Sequence, residues 1–364
     1  MQRKICKFLD CEDKQVDNNV YQEDMSLIFQ DKCIEWKKLT GKTIFITGGT
    51  GLIGSTVING LLYADKKLNL HLHVIALVRN LEKAEKMFQP LYLENKLKFV
   101  IGSVESLPTI LDRVDYIIHG ASPTASLYFI QHPVETIQTA VQGTKNILEL
   151  AKRNQVKSVL YLSSMEVYGA PITDDLIPET QGCSLNSMTV RSCYPIAKRL
   201  CENLCASYAS EYGVQVEVIR LAQTFGPGVS IDDARVFAEF ARDAMHGTDI
   251  ELQTAGTSKR MYLYTADAVT AILTVLLSGK SGEAYNAANP VTYCSIVEMA
   301  QLVAHEIAHD AIRVHVPTIK LEADSKFPPP HHLNLDIGKI YELGWRPSIG
   351  LRDMYLKMIS GMKR

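Results

Sequence analysis

The sequence predicts an α/β protein, a doubly wound parallel sheet followed by a smaller mixed α/β lobe, and three observations predict it. Short apolar, β-branched runs recur at 43–47, 73–78, 98–101, 115–118, 157–163 and 215–220. Helical stretches lie between several of them, most clearly 51–64, 133–153 and 194–212. After Arg220 the alternation gives way to a helix near 232–246, short strands near 250 and 262, helices at 265–278 and 294–309, and the prolines Pro328, Pro329 and Pro330. Continuous apolar strands alternating with helices belong to a sheet covered on both faces, and the changed pattern marks a second lobe.

Three segments follow: an N-terminal helical extension over 1–40, the sheet domain over 41–220, and the second lobe over 221–364, with interleaving of the two lobes allowed. In the extension, Met25, Ile28, Phe29, Cys33, Ile34 and Trp36 recur at helical spacing before Thr40 and Gly41 break the pattern. That spacing predicts a helix packed on the main body or on a partner subunit.

Hydrophobic residues make up 46% of the 364 residues and charged ones 21%, an ordinary globular balance. The net charge of -2 gives no sign of a surface for nucleic acid or an anionic membrane. No apolar run is long enough to span a bilayer, and the basic start lacks the apolar stretch and cleavage site of a leader, so the expected location is cytoplasmic. The eight cysteines form no CxxC pair, which predicts reduced thiols. Cys201 and Cys205, one helical turn apart, are expected as small hydrophobes on a buried helix face.

The run 43–47 leads straight into Gly48-Gly49-Thr50-Gly51-Leu52-Ile53-Gly54 and a helix. Gly48, Gly51 and Gly54 give a GxxGxxG spacing. Glycines here allow a tight turn, close approach of a pyrophosphate to the backbone, and a helix N-terminus aimed at it. The sheet is therefore expected to be Rossmann-like. The acidic residue that would hold the ribose of NAD at the end of the second strand is absent; Arg79 stands there. A cation suits a 2′-phosphate and tilts the reading toward NADP, whereas a surface arginine stacked on adenine leaves NAD open.

The run 157–163 ends in Ser163-Ser164-Met165-Glu166, and the next helix opens on Tyr194-Pro195-Ile196-Ala197-Lys198. Tyr194 and Lys198, four apart, share a helical face. An ammonium beside a phenol favours phenolate, so the expectation is a Tyr194 pKa lowered toward neutrality and a usable base. Ser164 can hydrogen-bond the same substrate oxygen while hydride leaves for a nicotinamide.

At these residues the chain resembles the extended short-chain dehydrogenases/reductases, the sugar-nucleotide epimerase/dehydratase/decarboxylase group. The likeness spans about residues 42–360 and rests on TGGTGLIG (47–54), HGASP (119–123), SSMEVYG (163–169), YPIAK (194–198), RLAQTFGP (220–227), DDARV (232–236) and KRMYLYTAD (259–267). The resemblance implies catalysis by Tyr194, Lys198, Ser164 and Glu166. It implies an NAD site formed by Gly48, Thr50, Gly51, Leu52, Ile53, Gly54, Arg79, Ser103, Ala121, Tyr194 and Lys198. Ser103 stands where the family carries an adenine-contacting Asp, and Ala140 where an Asn is frequent. Ser122, Pro123, Gln223, Arg235 and Arg260 are implied on the sugar nucleotide, with Gln223 replacing an Asn. Many relatives are homodimers through the helices at 133–153 and 191–212, so a homodimer is expected.

Relatives share the first step, oxidation at C4, and differ in the fate of the keto sugar. Dehydratases carry Thr-Asp-Glu at the positions of Ser164-Met165-Glu166, and Met165 cannot supply their acid. Decarboxylases acting on UDP-glucuronate carry Thr-Ser-Glu, and the stretches 121–133 and 191–205 also resemble theirs. The expected function is therefore UDP-glucuronate decarboxylase-like, with 4-epimerase or 4,6-dehydratase as the alternatives and a non-catalytic NAD(P)-binding sensor further off. Residues 305–309, His-Glu-Ile-Ala-His, match a zinc motif formally. Their amphipathic setting and the lack of a third ligand predict an ordinary helix and no metal.

Overall fold

A computed structural model describes residues 19–92, 96–110, 112–182, 184–317 and 330–362. Cys6, Cys11, Cys183, Pro328 and Pro329 lie outside the described residues. A helix over residues 19–30 (α1) precedes β1 (Thr43–Thr47), α2 (Leu52–Leu68), β2 (His73–Val78), α3 (Leu81–Tyr92) and β3 (Leu97–Ile101). Next come β4 (Tyr116–His119), α4 (Ser126–Gln131), α5 (Pro133–Asn154), β5 (Ser158–Ser164), α6 (Cys193–Tyr212) and β6 (Val216–Leu221). The later chain forms β7 (Gln223–Phe225), α7 (Val236–His246), β8 (Ile250–Glu251), β9 (Lys259–Tyr264), α8 (Thr265–Ser278), β10 (Ala284–Ala287) and β11 (Asn289–Ser295). It ends with α9 (Ile296–Leu302), β12 (Val314–His315), β13 (His332–Leu333), α10 (Gly338–Glu342) and α11 (Leu351–Met362).

The main sheet has seven strands in the order β10-β6-β5-β4-β1-β2-β3, all parallel. Successive side chains point to opposite faces, and each face has its own core. Ile44 and Ile46 of β1 join Val57, Leu61 and Val269, whereas Phe45 between them joins Ile147, Leu148 and Cys201. Burial on both sides explains the unbroken apolar runs. β10 sits at the sheet edge beside β6, so the chain beyond residue 220 re-enters the sheet before completing the smaller lobe. In that lobe β9 pairs with β7, β11 and β13.

Of the two settings expected for the N-terminal helix, the main body is the one observed. Ile28 is fully buried over Gly60 of α2, where a Cβ would stand 3.0 Å from its methyl. The Asp24 carboxylate accepts from the Tyr264 hydroxyl of β9, with 2.8 and 2.7 Å to its two oxygens. Trp36 is buried and donates to the Phe29 carbonyl.

The helix expected over 294–309 is shorter. β11 occupies its start, and Ser295 caps α9 through a reciprocal capping box with Glu298. A π-helical turn over Val303–Ile307 and left-handed His309 (φ 52°) and Asp310 (φ 60°) then end it. His305 pairs with Asp310 at 2.9 Å, and His309 lies past the break, so the two histidines do not share a helical face.

Candidate active site

The glycine turn closes over itself. Gly48 has φ 75°, and a Cβ there would meet the Gly120 backbone at 2.8 Å. A Cβ on Gly54 would stand 2.2 Å from the Gly48 carbonyl oxygen, so only glycine lets α2 start this close to the end of β1. Gly51 is the N-cap of α2 and offers no side chain, while Thr50, Leu52 and Ile53 are half-buried around it. A bare helix N-terminus beside a cradle that any side chain would fill fits a pyrophosphate.

Beneath the turn lies a polar floor. The buried His119 bonds Thr47 Oγ1 at 2.7 Å through Nδ1 and Thr144 Oγ1 at 3.2 Å through Nε2. Thr47 Oγ1 in turn accepts from the Ala121 amide at 3.1 Å, fixing the loop that carries Ser122 and Pro123. Burial, aided by the Lys198 charge, pushes His119 down to about 3, which keeps it neutral. Sequence reasoning quoted His119 within a motif without giving it this role.

Arg79 follows β2 directly and is exposed. Across from it, after β3, Glu105 accepts from Thr139 of α5. Burial opposes ionisation of Glu105, but bonds from Thr139, its own amide and Ser103, with the charge of Arg79, outweigh it and hold the carboxyl below its ordinary range. Ser103, half-buried, also accepts from the Ser106 amide at 3.3 Å. An acidic group therefore faces Arg79 from a position the sequence did not single out.

Ser164 ends β5 and Tyr194 lies in the first turn of α6, which brings the two hydroxyls near each other. Phe129 of α4 stacks on the Tyr194 ring at 4.3 Å and 12°. Burial and the Glu166 charge raise the Tyr194 pKa, against smaller lowering effects of Ser164 and Arg191. The expected lowering by Lys198 is not what this geometry gives. Lys198 Nζ donates to the Leu162 carbonyl at 2.7 Å and lies 5.8 Å from the Tyr194 ring centroid. Burial brings Lys198 itself down to about 8.

Ser164 also caps the short 3₁₀ turn Met165–Tyr168, accepting from the Glu166 amide at 3.2 Å. That turn sends Met165 into the core at 3% exposure and leaves Glu166 at the site, against Arg191.

The lobe residues spread wider. Gln223 opens β7 and is half-buried. Arg260 on β9 reaches His331 at 3.3 Å, and its buried Nε has no hydrogen-bond partner among the described residues. Arg235, expected on a diphosphate, is held by Asp233 through Nε at 3.0 and 3.1 Å and packs on Phe237. Asp233 lies two residues away, so the chain itself supplies this carboxylate.

A parallel α/β sheet with a glycine cradle and a Ser-Tyr-Lys set at its strand ends defines a dinucleotide-dependent enzyme of the extended short-chain dehydrogenase/reductase type. Residues 44–288 match the NAD dependent epimerase/dehydratase family, and the chain belongs to it. UDP-glucuronic acid decarboxylase 3 of Arabidopsis thaliana is 31% identical over 85% of this chain and 86% of its own length. Among solved structures, UDP-glucose 4-epimerase of Thermotoga maritima has TM-score 0.71 at 23% identity, covering 88% of this chain and 98% of that one. A dTDP-glucose 4,6-dehydratase of Streptomyces venezuelae, solved with NAD, has TM-score 0.71 at 24% identity, covering 87% and 95%. At those identities the structures speak for the fold.

Proposed function

We propose that the protein decarboxylates a UDP-linked uronic acid, UDP-glucuronate first, by transient oxidation at C4. One observation carries the choice among branches: beside the Ser164–Tyr194 pair the chain presents Glu166 while Met165 is buried, so the acid that 4,6-dehydration uses is missing. The similarity to UDP-glucuronic acid decarboxylases supports the same choice.

Tyr194 takes the proton of the C4 hydroxyl, and Ser164 holds the oxygen as it becomes a carbonyl. When bound in the glycine cradle, NAD supplies the hydride acceptor and later the donor. A carboxylate β to the new carbonyl loses CO2 readily, because the electrons of the broken C–C bond pass into the enolate, which takes a proton from water at C5 before hydride returns to C4. The protein's task is then mainly to orient that carboxylate. Thr47 and His119 hold the Ala121 loop, and Phe129 holds the Tyr194 ring. The Glu105 carboxylate facing Arg79 favours NAD over NADP, since a 2′-phosphate would meet an acid there as well as the cation.

We further propose that the enzyme is a cytoplasmic homodimer. The unpaired Cys33, Cys193, Cys201, Cys205 and Cys294 support the compartment. Exposed Val134 and Ile137 on α5 and Leu200 on α6 support an apolar contact between these helices and their copies. Products from UDP-glucuronate, followed by NMR, test the activity. UDP-xylose is expected, and UDP-galacturonate would instead mean epimerisation. Tyr194→Phe should lower kcat by about 100-fold or more with NAD still bound; unimpaired turnover would remove Tyr194 from the chemistry.

A further inference from the structure

The proton-transfer centre holds a cation without a role so far. Arg191 lies in the 3₁₀ turn Val190–Ser192, immediately ahead of α6. Its Nη2 stands 3.1 and 2.9 Å from the two carboxylate oxygens of Glu166. Its guanidinium carbon is 4.8 Å from the centroid of Phe129, the ring that stacks on Tyr194. Both members of the pair are 33% exposed, so an incoming ligand can reach them. Nη2 alone makes the contact with Glu166, whereas a guanidinium offers five donors in a planar fork suited to a carboxylate.

On the decarboxylase reading, a carboxylate sits close to the reacting carbon. If Tyr194 takes the C4 proton, a carboxyl carbon attached to C5 lies about 2.5 Å from C4, two ordinary carbon–carbon bonds away. That carboxylate would meet Glu166, whose charge already bears on the Tyr194 phenol. Two carboxylates at such range in a partly dehydrated site repel strongly unless a cation stands between them. Arg191 is in contact with one of them and has donors for the other.

We infer that Arg191 is the specificity-determining residue for an acidic sugar: it shares its guanidinium between Glu166 and the substrate carboxylate, admitting a uronate where a neutral sugar gains nothing. The inference rests on the decarboxylase reading above. If Arg191 served only to hold Glu166 in place, acidic and neutral sugars would depend on it equally.

The test uses the full chain with NAD, comparing wild type with Arg191→Gln and Arg191→Lys. Circular dichroism checks the fold, calorimetry measures UDP-glucuronate and UDP-glucose binding, and turnover is followed alongside. Loss of one charge-assisted contact predicts UDP-glucuronate binding weakened about tenfold or more in Arg191→Gln, with UDP-glucose within about twofold. Arg191→Lys should restore part of the difference, and it carries the comparison alone if the glutamine variant misfolds. Equal losses for both ligands, or no loss, would overturn the inference. Wild-type decarboxylation with an unchanged preference in the variants defeats this inference alone. A wild type that neither decarboxylates nor prefers UDP-glucuronate defeats the proposed function with it.

Discussion

Burial decides the protonation of several side chains, and Glu217 shows it most plainly. It lies on β6, one strand in from the sheet edge, 3% exposed, and accepts from Ser158 of β5 at 2.5 Å. Burial pushes its carboxyl up to about 8, only partly offset by the bonds from Ser158 and the backbone. An unfolded glutamate ionises near about 4.3, so between that pH and about 8 the folded state binds the extra proton. Stability is therefore undiminished by Glu217 below the lower value and falls as pH rises toward the upper one. Glu217→Gln should stabilise the protein by about 1 kcal/mol or more at pH 8.5, with a smaller gain at pH 5. Urea unfolding at the two pH values checks this; a gain that grows toward acid would contradict it.

At the scale of elements, the sequence was most legible where periodicity and glycine chemistry act locally. The sheet strands over 43–47 and 73–78 have the expected bounds, because burial on both faces makes each run apolar throughout. The start of α2 was legible because only glycine tolerates the approach at Gly54. What stayed hidden depends on contacts between distant segments. The Glu166–Arg191 pair joins residues 25 apart, and the Phe129–Tyr194 stack joins α4 to α6. β10 was missed because Ala284–Ala287 carries no β-branched run and gains its strand from lying beside β6. The helical pattern over 294–309 continued in sequence past the point where His309 and Asp310 turn the backbone left-handed.

The N-terminal helix shows how an element that carries no chemistry still serves the fold. Its Ile28 fills the bed over Gly60, and Asp24 ties it to β9 through Tyr264. Ile28→Ala should cost about 2–5 kcal/mol, because the rigid bed of α2 leaves a cavity. A denaturation midpoint unchanged from wild type would mean that α1 contributes little to the core.

At the scale of the whole molecule, the sheet brings the cofactor cradle and the Ser164–Tyr194 pair to the carboxyl ends of its strands. That is where open parallel sheets bind ligands. Val134 and Ile137 on α5 and Leu200 on α6 are exposed apolar residues, and sedimentation should give twice the mass of one chain. A monomer across micromolar concentrations would remove the dimer from the account.

In the proposed reaction hydride leaves C4 and returns to C4 while the carboxyl group is lost. UDP-glucuronate deuterated at C4, incubated with a stoichiometric amount of enzyme carrying its own NAD, tests it most directly. UDP-xylose that keeps the deuterium at C4 is expected, with one CO2 released per product. Deuterium washed out to solvent, or a product that retains its carboxylate, would contradict it.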